Sequence, residues 1–92
     1  MNIRQLKYFL TIAEEEQITS AAKKLNISQP PLSQQLKLLE DEFGVKLLER
    51  GSRKIHLTDA GRLLRNKAEQ ILELTDATYK ELRDFNKGIL HA

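Results

Sequence analysis

The run from Ile18 to Glu40, ITSAAKKLNISQPPLSQQLKLLE, constrains the fold more than any other stretch, because it encodes two helices joined by a tight turn. Ala21, Ala22 and Leu25 share one face of the first helix, and the paired alanines let a second helix cross at close range. Asn26 ends that helix, since asparagine tolerates the left-handed backbone that reverses the chain, and Ile27 plugs the corner behind it. Ser28 restarts the chain. Its hydroxyl is expected to cap the new helix, with Pro30 and Pro31 in the first turn, where a missing N–H costs little. For the start of the first helix the residues allow either a cap at Thr19 or a beginning at Gln17.

From Gln29 onward, Leu32, Leu36 and Leu39 recur at helical spacing toward a core, which leaves Gln29, Ser33, Gln34 and Lys37 on the outer side. Glutamine bonds bidentately to adenine, serine donates or accepts at a base edge, and lysine neutralises a phosphate. A polar helix face taken alone is more often simply solvated. Its place on the second helix of a compact helix-turn-helix turns the balance toward a DNA groove.

The flanks complete a small domain. Ile3, Leu6, Phe9, Leu10 and Ala13, with Tyr8 beside them, form the stripe of an opening helix that covers the core. Its exposed Arg4, Gln5 and Lys7 serve solubility before they serve phosphates. After Phe43 and Gly44, the apolar Val45, Leu47 and Leu48 and the later Ile55-His56-Leu57 bracket a Gly51-Ser52 turn, the pattern of a β-hairpin wing. Acidic residues gather at 14–16 and 40–42, whereas Lys46, Arg50, Arg53 and Lys54 fall together, so the wing is basic although the formal net charge is only +2. At its tip Arg53 is suited to a narrow minor groove, and Arg50 and Lys54 to phosphates.

Thr58 and Asp59 cap a helix that continues to about Phe85, roughly 40 Å at about 1.5 Å per residue. Leu64, Ala68, Ile71, Thr75, Thr78, Leu82 and Phe85 alternate in steps of four and three, the spacing of a coiled-coil seam. Such a helix outruns a small core and would expose Leu72, Tyr79, Leu82 and Phe85 unless a second chain covered them, so a homodimer is expected. The fold class is therefore mainly α: a winged helix-turn-helix of three helices and a small β-hairpin over residues 1–57, followed by a dimerisation or linker helix over 58–87.

Other classes find little support. The chain has no cysteine, hence no disulfide framework and no thiolate metal site, which agrees with a cytoplasmic location. No apolar run approaches the roughly 20 residues of a membrane span. His56, structural or solvent-facing in a wing strand, and His91 stand apart from any ligand cluster, and no Gly-rich phosphate loop occurs. No catalytic residue, metal or cofactor is implied. The remaining rival is a winged helix that binds protein instead of DNA.

Taken together, RQLKYFLTIAE, AAKKLNISQPPLSQQLKLLE, LLER and LTDAG resemble the N-terminal DNA-binding region of LysR-type transcriptional regulators from Ile3 to about Leu82. The resemblance implies a bacterial regulator whose winged helix-turn-helix dimerises through the linker helix and binds an interrupted inverted repeat in double-stranded promoter DNA. It implies base contacts at Gln29, Pro30 and Ser33, with Gln34 beside them, and a minor-groove contact at Arg53. It further implies phosphate contacts at Ser28, Pro31, Lys37 and Arg50. Position 34 is commonly arginine in such relatives, so an arginine contact is not carried over to Gln34. An effector-binding domain would follow a hinge at 88–92, around Gly88-Ile89-Leu90. Through it the whole protein would take a small-molecule effector and form a tetramer.

Overall fold

The computed structural model describes residues 1–88. Its elements are α1 (Ile3–Glu15), α2 (Ile18–Leu25), α3 (Gln29–Phe43), β1 (Leu48–Arg50), β2 (Ile55–Leu57) and α4 (Asp59–Asn86). Of the expected hinge at 88–92, residues 89–92 lie outside the described residues.

Asn2 opens α1 by accepting the backbone N–H of Gln5 on its side-chain oxygen at 2.8 Å, which satisfies one of the orphan amides of the first turn. Leu6, Phe9 and Ile12 are then buried to 1%, 1% and 0% exposure. Ile12 was not in the expected stripe. It is buried because α1 packs against both α2 and α3, which widens its covered arc beyond one narrow face. Fully burying side chains of this size contributes about 1.5–3 kcal/mol each.

Gln17 is the cap residue of α2, without a side-chain cap bond, so Thr19 lies inside the first turn and not at the cap. At the other end Asn26 adopts the expected left-handed conformation, φ 58°, and Ile27 N–H donates to Ala22 O at 3.0 Å. Ala21 and Ala22 are buried in the core with Leu32 and Leu39 of α3, and the half-buried Leu25 and Leu36 pack against it.

Ser28 occupies the cap position of α3 but makes no cap bond, contrary to the expectation. The prolines explain it. A cap hydroxyl accepts from the second or third helical amide, and those positions are Pro30 and Pro31, which have none. We therefore expect Ser28→Ala to change stability by less than about 0.3 kcal/mol, whereas Thr58→Ala should cost about 1 kcal/mol, because Thr58 Oγ1 does accept Gly61 N–H. Urea midpoints of the two variants check the contrast.

The wing is shorter than the apolar run implied. β1 begins at Leu48, Val45 stays exposed at 44%, and the register pairs Leu48 with Leu57, Glu49 with His56 and Arg50 with Ile55. Val45 is left out because the left-handed Gly44, φ 69°, and the N–H bonds of Gly44 and Val45 to Glu40 O hold this stretch to the end of α3. Ile55 N–H donates to Glu16 O at 2.8 Å and fastens the hairpin to the helical body, while Thr58 N–H donates to Leu47 O at 3.0 Å and closes the hairpin's base at the start of α4.

The first turns of α4 lie along the body and the rest projects, giving extents of 54 × 26 × 20 Å. This corrects part of the expected dimer seam. Ala68 is 0% exposed within its own chain and Leu64 packs on the core, so these two hold α4 to its own domain. A seam residue needs a free face, and the face that carries Leu64 and Ala68 is covered by the chain's own core, whereas Leu82 further along is exposed.

Candidate nucleic-acid interface

Helix α3 presents Gln29, Pro30, Pro31, Gln34 and Lys37 to solvent, with Ser33 half-buried, while Leu32, Leu36 and Leu39 turn inward. The same face is continued by the wing. Gln29 and Ser33 line one cleft with Arg50, Arg53 and Lys54, closed on its far side by Glu16, Gln17 and Thr19 at the α1–α2 corner. Ser33, Lys37 and Arg50 line the adjoining concavity, together with Lys46 and Glu40. The tie from Ile55 to Glu16 brings the wing to this corner, since it fixes β2 beside the start of α2.

Arg50 and Arg53 are exposed, and neither forms an ion pair among the described residues. Lys54 differs, because its Nζ lies 3.5 Å from Glu16 Oε1. Glu16 is itself held in a left-handed conformation, φ 63°, so an acidic group stands within the basic cleft. Lys37 lies 3.8 Å from Asp41 one turn on, but both are largely exposed and such pairs are worth little. Both remain free to exchange partners.

On the other flank of α3, Ser28, Gln29 and Pro30 border a shallow groove with Thr19 and Lys23 of α2. Sequence reasoning passed over Thr19 and Lys23 as site residues. Their signal was present, since they lie four apart on one exposed face of α2. Lys24 is not equivalent to Lys23. Its ammonium donates to the Glu14 carboxylate and lies near Glu15, and this hydrogen bond and the attraction of Glu14 raise its pKa above the ordinary lysine value.

At the start of α3 only Ser28 and Gln29 retain unused N–H groups, because Pro30 and Pro31 have none to offer. Any anion at this helix end meets two amides and the free Ser28 hydroxyl. Pro30 and Pro31 themselves can touch a groove wall only through van der Waals contact.

A helix-turn-helix with an outward polar reading helix, flanked by a basic hairpin across a shared cleft, defines a winged helix-turn-helix DNA-binding domain. Residues 3–62 match the family described as "Bacterial regulatory helix-turn-helix protein, lysR family", and the chain belongs to that family. It is similar to a probable cat1 operon transcriptional activator of Acinetobacter lwoffii, 56% identical over 72 residues that make up 78% of this chain and 24% of that protein. It is also similar to the HTH-type transcriptional regulator BsdA of Bacillus subtilis (strain 168), 48% identical over 90 residues, 97% of this chain and 31% of that protein. The chain thus spans 24% and 31% of the length of these two regulators.

Solved structures agree. The DNA-binding domain of BenM in complex with benA site 1 DNA superposes with a TM-score of 0.91 at 41% identity, covering 96% of this chain and 99% of that one. The CbnR DNA-binding domain in its DNA complex gives 0.89 at 44% identity, covering 94% of this chain and 99% of that one. These relatives are transcriptional regulators and not enzymes. Among the described residues no helix is long and apolar enough to cross a membrane.

Proposed function

We propose that this domain binds an interrupted inverted repeat in duplex DNA as a homodimer, α3 lying in a major groove and the wing reaching the adjacent minor groove. The observation that carries the reading is the shared cleft, in which Gln29 and Ser33 of α3 stand beside Arg50 and Arg53 of the wing. In this reading Gln29, Pro30, Ser33 and Gln34 meet base edges, and Arg53 enters the minor groove. Ser28, Lys37 and Arg50 hold phosphates, Pro31 packs against the backbone, and Thr19 and Lys23 extend the phosphate contacts onto α2. A glutamine at position 34 reads adenine in preference to guanine. In whole regulators of the family the effector-binding domain follows the linker helix, so an effector and tetramer assembly are assigned to that part of such proteins and to no residue described here.

Selection from random duplexes tests the reading directly. Enrichment of an inverted repeat with a spacer is expected, and enrichment of single half-sites or of no sequence would overturn it. The salt dependence tests the phosphate assignments. Arg50→Ala should flatten the slope of log K against log salt by about 0.9, the value of one phosphate contact. Lys54→Ala should flatten it by somewhat less, because Glu16 competes with a phosphate for its ammonium, although the pair is exposed and weak. Equal changes would mean that Lys54 leaves Glu16 for the DNA. A winged helix turned to protein contacts would show no steep slope at all.

A further inference from the structure

Glu40, near the end of α3, receives four backbone amides. Its carbonyl oxygen accepts the N–H groups of Gly44 at 2.8 Å and Val45 at 3.3 Å, which closes the helix. Its carboxylate does something else. Oε2 accepts Leu47 N–H at 2.7 Å and Leu48 N–H at 3.3 Å, Oε1 lies 3.9 Å from Lys46 Nζ, and the side chain is only 11% exposed. Leu48 is the first residue of β1, and Arg50 is the last.

A carboxylate in a concavity shared with Ser33, Lys37 and Arg50 opposes the approach of phosphates, so a solvation role does not account for it. Its bonds show where it acts. The second wing strand is held to the α1–α2 corner through Glu16, whereas the base of the first strand is held to α3 through Glu40. Leu47 then passes the connection on, because its carbonyl accepts Thr58 N–H at the root of α4.

We propose that Glu40 is a positioning residue that sets the wing against the reading helix, so that Gln29 and Ser33 reach one groove while Arg53 reaches the next. This rests on the DNA reading above. The length of the side chain, and not its charge, is what the geometry uses.

Two variants separate length from charge. Glu40→Gln keeps an oxygen at the same reach for both amides, and Glu40→Asp keeps the charge but withdraws the oxygen by one methylene. Each is combined with Arg53→Ala, and affinity is measured by fluorescence anisotropy on the selected inverted-repeat duplex, below the unfolding temperature established by circular dichroism. Arg53→Ala should cost roughly tenfold in the parent and in the Gln background, the scale of one lost specific contact. In the Asp background it should cost no more than about twofold, the failure of additivity expected of residues in one network. Equal costs in all three backgrounds would overturn the proposal, as would a Gln variant that binds more tightly while Asp binds like the parent, since charge alone would then be at work. A parent chain that binds no duplex would remove the DNA reading and this proposal with it, whereas binding without coupling would remove this proposal alone.

Discussion

Adding a single methyl group at Gly61 is expected to lower the stability of this domain by about 3 kcal/mol, the upper end of ordinary overpacking. Helix propensity argues the opposite, since alanine is favoured over glycine inside a helix by about 1 kcal/mol. Sterics decide the sign. A Cβ at Gly61 would lie 2.0 Å from Leu47 O and 3.0 Å from Leu57 Cδ2, and the first of these is backbone that cannot rotate away. Leu47 O already accepts Thr58 N–H, and Leu47 N–H already donates to Glu40, so a shift at this point loosens both the wing and the root of α4. The urea midpoint of Gly61→Ala, followed by far-UV circular dichroism, gives the answer. An unchanged or raised midpoint would show that α4 does not start against Leu47.

The second large effect is expected at the projecting end of α4. Leu74, Tyr79 and Leu82 are 69%, 67% and 64% exposed and border one apolar groove with Thr75 and Thr78. The two threonine hydroxyls donate to Ile71 O at 2.8 Å and Leu74 O at 2.7 Å, so their polarity is spent within the helix. A second copy of the helix is the occupant that our proposed function supplies. Leu82→Asp would then bury an unpaired carboxylate in the pairing surface. We expect it to abolish the dimer in sedimentation and to lower affinity for a duplex with two half-sites by about 100-fold, the loss of one intramolecular binding step. Affinity for an isolated half-site should stay as it was. A variant that sediments as a dimer and keeps its affinity would place the dimer contact elsewhere on the molecule.

Where the sequence was misleading, one reason was local and the others were not. Ser28 has the right residue type for a cap, and its failure was already written in the two prolines that follow it. Ile12 could not be assigned by spacing alone, because the width of a buried arc depends on how many neighbours a helix has. The pairing of Lys54 with Glu16 spans the wing and the α1–α2 corner, two segments that nothing in the linear order brings together.

The 4-3 spacing along α4 gives the same lesson at a larger scale. A periodic stripe states that one face of a helix is buried, and it is silent about what buries it. The first two expected seam positions, Leu64 and Ala68, are covered by the chain itself, while Leu82 is left open. Only the docking of the first turns of α4 onto the body determines where the chain's own cover of the stripe ends.

The helices, the cap at Thr58, the left-handed stop at Asn26, the hairpin and the outward face of α3 were determined by the sequence, because each rests on residues within a few positions of one another. The cleft between α3 and the wing, the acid at its edge and the link from Glu40 through Leu47 to α4 were decided only by the tertiary structure. They consist of hydrogen bonds and packing between segments far apart in the chain, and no local pattern encodes a distance across a fold.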